Sequence, residues 1–108
     1  MKSMANSLSF TISDLAKQDI ESTLRYISDE LKNVKAAKDL YAKLNEAFIL
    51  IQQYPVAQSR SSLVIPDSSY DLRKMPIGNF MLYYGITKSE ITVLRFIYGG
   101  RNIDEKFF

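Results

Sequence analysis

Tyr70-Asp71-Leu72-Arg73-Lys74-Met75-Pro76-Ile77-Gly78, Asn79-Phe80-Met81-Leu82-Tyr83-Tyr84-Gly85-Ile86-Thr87 and Ile91-Thr92-Val93-Leu94-Arg95-Phe96-Ile97-Tyr98-Gly99-Gly100-Arg101 are three successive runs rich in aromatic and β-branched residues. Turn residues separate them, at Gly78-Asn79 and at Thr87-Lys88-Ser89-Glu90. Short runs of this composition, split by such turns, predict an antiparallel meander. Alternation in the third run puts Ile91, Val93, Arg95 and Ile97 on one face and Thr92, Leu94, Phe96 and Tyr98 on the other. Both faces are largely apolar, so this strand is expected in the middle of a sheet with helices on one side. Arg95 is the anomaly on its face. Leaving a guanidinium buried and unpaired is costly, so Arg95 calls for a groove or a partner, either Asp104, Glu105 or a carboxylate on a helix.

Upstream of the meander, Leu8, Phe10 and Ile12 alternate with polar residues, the pattern of a half-buried strand. Ser13 offers a side-chain acceptor to free helix amides, and Asp14 puts negative charge in the first turn. Ile20, Leu24, Ile27 and Leu31 then recur at helical spacing and form one buried stripe. Asn33 is a plausible cap for a second helix from Val34 to about Tyr54, with Ala37, Leu40, Leu44, Phe48 and Ile51 as its seam. Pro55 ends it, because the residue before proline is pushed out of helical geometry. Only Lys32 and Asn33 separate the two helices, which must therefore fold back as a hairpin. Residues 56–69 are serine-rich and aperiodic and read as a surface loop, with Leu63, Val64 and Ile65 tucked against the domain or a partner. The predicted order is β-α-α-β-β-β, an α+β fold with the N-terminal strand and the meander in one sheet and the helical hairpin packed on one face.

At 108 residues the chain has the size of one domain spanning 1–108, with residues 1–6 disordered or, for the first three, a leftover ahead of a start at Met4. Net charge is +2: residues 1–54 carry seven basic and seven acidic side chains, residues 55–108 seven and five. A duplex-binding protein would show a clustered basic excess, so direct duplex DNA binding is not expected. The chain has no cysteine and no histidine. Disulfide and thiolate chemistry are thereby excluded, and the commonest metal ligand and general base are missing, so neither metal nor cofactor is expected. No run approaches the roughly 18–20 apolar residues of a membrane span, and a cytoplasmic location is expected.

The segments also resemble a known family. Asp19-Ile20 with Tyr26-Ile27, Ala36-Ala37 and the Gln53-Tyr54-Pro55 stop are similar to its helical hairpin. Leu72 to Phe80, Tyr84, and Leu94-Arg95-Phe96-Ile97-Tyr98-Gly99-Gly100-Arg101-Asn102 are similar to its sheet. Over residues 8–106, with 56–69 the least matched part, the chain resembles the RelE/ParE superfamily of toxins from type II toxin–antitoxin modules. That resemblance implies a cognate antitoxin as partner and one of two targets. RelE-like members cut mRNA on the ribosome; ParE-like members poison DNA gyrase. A third implication is a member that binds its antitoxin without being toxic.

Position by position, the nuclease set implied by the resemblance is thin. Arg101 matches a basic residue found in both branches. Met81 stands where RelE-like chains place an arginine, Phe107 where they place a tyrosine, and Tyr98 where many members have histidine. A phenol with an unperturbed pKa of about 10 is a poor base at neutral pH. The wording of residues 94–101 resembles the ParE-like branch more closely. The residues implied to touch a target are Arg73, Lys74, Arg95, Tyr98 and Arg101; in a nuclease, Arg73, Arg95, Tyr98 and Arg101 would form the catalytic set. Each has a plainer alternative: Arg73 as part of a solvated face, Arg95 in a structural ion pair, Arg101 in an ordinary turn whose two glycines free the backbone. Tyr83, Tyr84 and Tyr98 are either a base-stacking surface or core and rim. Phe107 and Phe108 either cap the core or are covered by the antitoxin.

Overall fold

The computed structural model describes residues 8–61, 63, 65, 68–101, 103, 104, 107 and 108. Residues 1–6, expected to be disordered, and Val64 lie outside them. Strand β1 (Ser9–Ile12) leads into helix α1 (Asp14–Arg25), a π-helical turn (Tyr26–Glu30) and helix α2 (Val34–Gln53). A two-residue strand β2 (Ser59–Arg60) follows, then β3 (Asp71–Ile77), β4 (Phe80–Ile86) and β5 (Glu90–Tyr98). The strands form one sheet in the order β1-β5-β4-β3-β2. β1 runs parallel to β5, and every other pair is antiparallel. The α+β architecture expected from the sequence is present, with β5 inside the sheet and both helices on one face. β2 is an addition: Ser59 and Arg60 pair with Lys74 and Arg73 inside the stretch read as aperiodic loop. Two residues carry too little pattern to announce a strand.

Local chemistry explains the boundaries. Ser13 Oγ accepts from the Ala16 amide at 3.0 Å, and Asn33 Oδ1 accepts from the Ala36 amide at 3.0 Å, each capping the helix that follows. The turn between β3 and β4 needs a left-handed residue at its first position, and Gly78 supplies φ +58°. Thr87 closes the β4–β5 turn, its Oγ1 accepting from the amides of Ser89 and Glu90.

The α2 seam holds: Leu40, Leu44, Ala47 and Ile51 are buried against Leu82, Tyr84, Ile91, Val93 and Phe96 of the sheet. The α1 stripe ends early. The turn at Tyr26–Glu30 closes with Leu31 N–H donating to the Tyr26 carbonyl, five residues back, so it carries one residue more than an α-turn. Leu31 is thereby rotated off the stripe and stands 55% exposed.

The second correction concerns β5. Tyr83 pairs with Arg95, but Tyr84 pairs with Val93, so Leu94 is an extra residue in a β-bulge. Inserting one residue reverses which face every later side chain meets. Ile91 and Val93 therefore share the helix side with Phe96, while Leu94 and Ile97 face the opposite side. There a second apolar cluster of Leu72, Tyr83 and Ile97 is covered by Leu63 and Ile65 from the loop and by Ile103, Phe107 and Phe108 from the C-terminal segment.

Gly85 in β4 is set by space. A Cβ there would lie 2.5 Å from Tyr70 Cδ1 and 2.9 Å from Tyr70 Cβ. The Tyr70 hydroxyl reaches Glu90 Oε1 at 3.3 Å and Thr92 Oγ1 at 3.4 Å, which anchors the far end of the ring. Gly85→Ala is expected to cost about 2 kcal/mol, since neither the ring nor the strand can give way freely. Urea unfolding measures it; an unchanged midpoint would mean that the ring swings aside without loss.

Candidate functional site

β1 ends at Ile12, opposite Val93, and the outer edge of β5 beyond Val93 has no strand partner among the described residues. The start of α1 covers that edge. Ser13 N–H donates to the Val93 carbonyl at 2.9 Å, and Ser13 Oγ donates to the Leu94 carbonyl at 3.2 Å. Nearly two turns further on, Asp19 Oδ2 accepts from the Phe96 amide at 3.0 Å, doing what a strand there would have done. The same carboxylate receives Arg95 through two bonds, Nε to Oδ2 at 2.6 Å and Nη2 to Oδ1 at 2.9 Å. A bidentate guanidinium–carboxylate pair is a strong, oriented contact. Arg95 Nη1 donates onward to the Phe107 carbonyl at 2.6 Å. Arg95 thus joins α1, β5 and the C-terminal segment, and its side chain keeps 14% exposure. The partner is a helix carboxylate; Glu105 lies outside the described residues. The sequence signal for Asp19 was slight, a lone acid beside Ile20 of the helical stripe, 76 positions before its partner.

Arg73 is similarly occupied, on the other side of the sheet's centre. Nε and Nη2 donate to Asp71 Oδ2 at 3.2 and 2.9 Å, and Nη1 donates to the carbonyls of Val56 and Gln58, both at 2.8 Å. It holds the segment after α2 against β3, with 11% of its side chain exposed. Tyr84 completes that corner by donating its hydroxyl to the Pro55 carbonyl at 2.8 Å. Burial, offset in part by Arg73 and reinforced by Asp71, pushes the Tyr84 phenol up to about 12. Burial also raises Tyr83. Both are neutral at physiological pH and buried in the two apolar clusters, so of the three tyrosines only Tyr98 offers a surface.

Tyr98 is 56% exposed and packs edge-on against Phe80, with ring centroids 6.0 Å apart. It stands at the rim of a cleft of about 600 Å³ between the π-helical turn and the β3–β4 turn, with Tyr26, Ile27, Leu31 and Phe80 among its walls. The sequence did not reveal this cleft, because the π-turn that presents Tyr26 and Leu31 breaks the helical period. The turn that follows β5 also differs from expectation. Neither Gly99 nor Gly100 adopts positive φ, so backbone freedom is not their role. A Cβ on Gly100 would meet Tyr98 Cε2 at 2.8 Å, and one on Gly99 would press the Asn79 carbonyl at 3.1 Å. The glycines let the Tyr98 ring and the β3–β4 turn close on the backbone.

Arg101 leaves this turn exposed, its amide donating to the Tyr98 carbonyl at 3.2 Å. No carboxylate among the described residues forms an ion pair with it. Its guanidinium carbon lies over the Phe107 ring, 5.1 Å from the centroid, and that of Arg95 lies over the same ring at 5.7 Å. Phe108 stacks edge-on against Tyr83 at 5.4 Å. Lys74, half-buried and paired in register with Tyr83 and Ser59, makes no ion pair among the described residues. The structure therefore brings Arg95, Arg101 and Phe107 together, places Tyr98 on the helix side of the sheet beside the π-helical turn, and leaves Arg73 apart. No group of acidic side chains suited to a metal ion occurs among the described residues. No helix among them is long and apolar enough to cross a membrane.

Residues 10–103 match the family model for the ParE toxin of the type II toxin–antitoxin system parDE. No curated protein matches the chain significantly. Among solved structures, the chromosomal ParDE toxin–antitoxin system from P. aeruginosa is similar with a TM-score of 0.68 and 16% identity, over 86% of this chain and 97% of that one. The archaeal RelE–RelB complex from Pyrococcus horikoshii follows with a TM-score of 0.58 and 16% identity, over 89% and 99%. The YoeB dimer from Staphylococcus aureus has a TM-score of 0.50 and 18% identity, over 85% and 97%. At these identities the structural likenesses speak for the fold.

Proposed function

The chain belongs to the ParE toxin family of type II toxin–antitoxin systems, and on that premise we propose that it arrests growth by binding DNA gyrase, with no covalent chemistry of its own. The observation that carries this is the state of the arginines. Of the four residues a nuclease site would draw on, Arg73 and Arg95 spend their donors inside the fold, and Tyr98 lies across the sheet from the strand position of Arg95. Clamping a scissile phosphate takes several convergent free cations, and proton transfer takes a group of suitable pKa within reach. Arg101 is exposed and forms no ion pair among the described residues, beside an aromatic and apolar rim, a composition suited to anchoring a protein partner. Arg101, Tyr98 and Lys74 are accordingly the proposed target contacts, with Arg73 and Arg95 supporting them from within.

A cognate antitoxin is the second proposed partner, by analogy with the ParDE and RelE–RelB assemblies. Phe107 and Phe108 keep part of their surface accessible and are proposed to lie under it. Such antitoxin segments are disordered alone and fold as they wrap their toxin.

The test is a supercoiling assay with purified toxin, gyrase, ATP and plasmid. Loss of supercoiling with accumulation of linear DNA is the expected result. Protein that arrests growth yet leaves gyrase untouched, while primer extension shows new mRNA breaks, would replace this proposal with ribosome-dependent mRNA cleavage.

A further inference from the structure

We propose that Phe107 is a positioning residue: its ring is a platform that holds the Arg101 guanidinium in place for the target, and the Asp19–Arg95 pair holds the ring. This rests on Arg101 being the target contact. A long, exposed arginine following a glycine turn samples many rotamers, and a partner that must freeze them binds more weakly for it. Near the turn Arg101 is tied by its amide to the Tyr98 carbonyl. The Phe107 ring, 5.1 Å from the guanidinium carbon, supplies a second tie at the far end of the side chain. A guanidinium over an aromatic face within about 6 Å is attracted by the ring quadrupole.

The platform is itself fixed from three directions. The Phe107 amide donates to the Asp104 carbonyl at 3.1 Å, and its carbonyl accepts from Arg95 Nη1 at 2.6 Å. Its neighbour Phe108 is wedged against Tyr83. Arg95 also lies over the same ring, and two bare guanidiniums at one ring would repel each other. Asp19 removes that conflict: at 2.6 and 2.9 Å from Arg95 it neutralises the inner cation and leaves the ring to the Arg101 guanidinium. An aliphatic residue at position 107 would still pack against the apolar cluster but would offer no ring face. The ring face is what the arrangement adds.

The experiment compares Phe107→Leu, which removes the face, Phe107→Tyr, which keeps it, and Phe108→Leu, which thins the same cluster without facing Arg101. The first readout is the NMR shift of the Arg101 side-chain protons in free toxin, which needs no target. The wild type and Phe107→Tyr are expected to show an upfield ring-current displacement, lost in Phe107→Leu and retained in Phe108→Leu. The second readout is potency, as toxin dose for growth arrest and for half-inhibition of gyrase, with thermal melting alongside. Phe107→Leu is expected to raise the dose about fivefold, with Phe107→Tyr restoring it. Unchanged Arg101 shifts in Phe107→Leu would overturn the platform. Potency losses that follow melting temperature equally in both leucine variants would overturn it too, as would full potency in Phe107→Leu. If the shifts respond as expected while Arg101→Ala retains full potency, it is Arg101's role as target contact that fails.

Discussion

Replacing Asp19 with asparagine is expected to lower the melting temperature by ~12 °C. The carboxylate accepts three hydrogen bonds, two from Arg95 and one from the Phe96 amide, on a strand edge that β1 does not reach. Asparagine presents one acceptor oxygen and one donor NH2, so at least one guanidinium N–H loses its acceptor and the Arg95 charge loses its counterion. Breaking a buried pair from one side costs about 3–5 kcal/mol, and the lower figure fits side chains that keep 14% and 15% exposure. At roughly 4 °C per kcal/mol for a chain of this length, the fall is ~12 °C. The effect should shrink when Arg95 is changed as well. In the double variant Asp19→Leu with Arg95→Met no charge is stranded, and the pair should be less destabilising than the sum of its single changes. A fall below about 3 °C in Asp19→Asn, against the estimate for a buried pair, would mean that this contact contributes little in solution.

Arg101→Ala is expected to do the reverse: leave the fold alone and sharply weaken toxicity. The side chain is exposed, forms no ion pair among the described residues, and touches the fold through one ring, so melting should move by no more than about 2 °C. Truncating a central arginine anchor in a protein interface costs about 2 kcal/mol or more, which raises the dose for growth arrest by ~30-fold. Expression from an inducible plasmid, with melting of the purified variant as the control, measures both. A well-folded variant that still arrests growth at the wild-type dose would remove Arg101 from the target surface.

The two substitutions separate what local sequence shows from what only the folded chain shows. The meander, the α2 seam and the caps at Ser13 and Asn33 were legible because each depends on residues within a few positions. The bulge at Leu94 was not, since leucine suits either face and an inserted residue leaves no local mark. Its consequence is large: it divides β5 so that Val93 and Phe96 share the helix side although they are three residues apart. The π-turn hid itself in the same way, by extending a stripe whose last member, Leu31, is then turned outward. At the candidate site the sequence singled out Arg95 as anomalous but could not supply Asp19, because nothing in a helix stripe tells which distant strand edge lacks a partner. The glycines at 99 and 100 were noticed for backbone freedom, whereas their missing side chains make room for Tyr98 and for the Asn79 carbonyl.

The place of β5 in the sheet also bears on how such a toxin is made. β1 finds its partner on β5, with Thr11 beside Thr92, 81 positions later, and β4 lies along the other edge of the same strand. On the ribosome, β1 and both helices emerge with their apolar seams uncovered, and the partner of β1 among the described residues does not exist until β5 is translated. Contacts of such long separation form late, after the loop between them has been closed. The sheet of a nascent toxin therefore cannot close around β1 until β5 has been made.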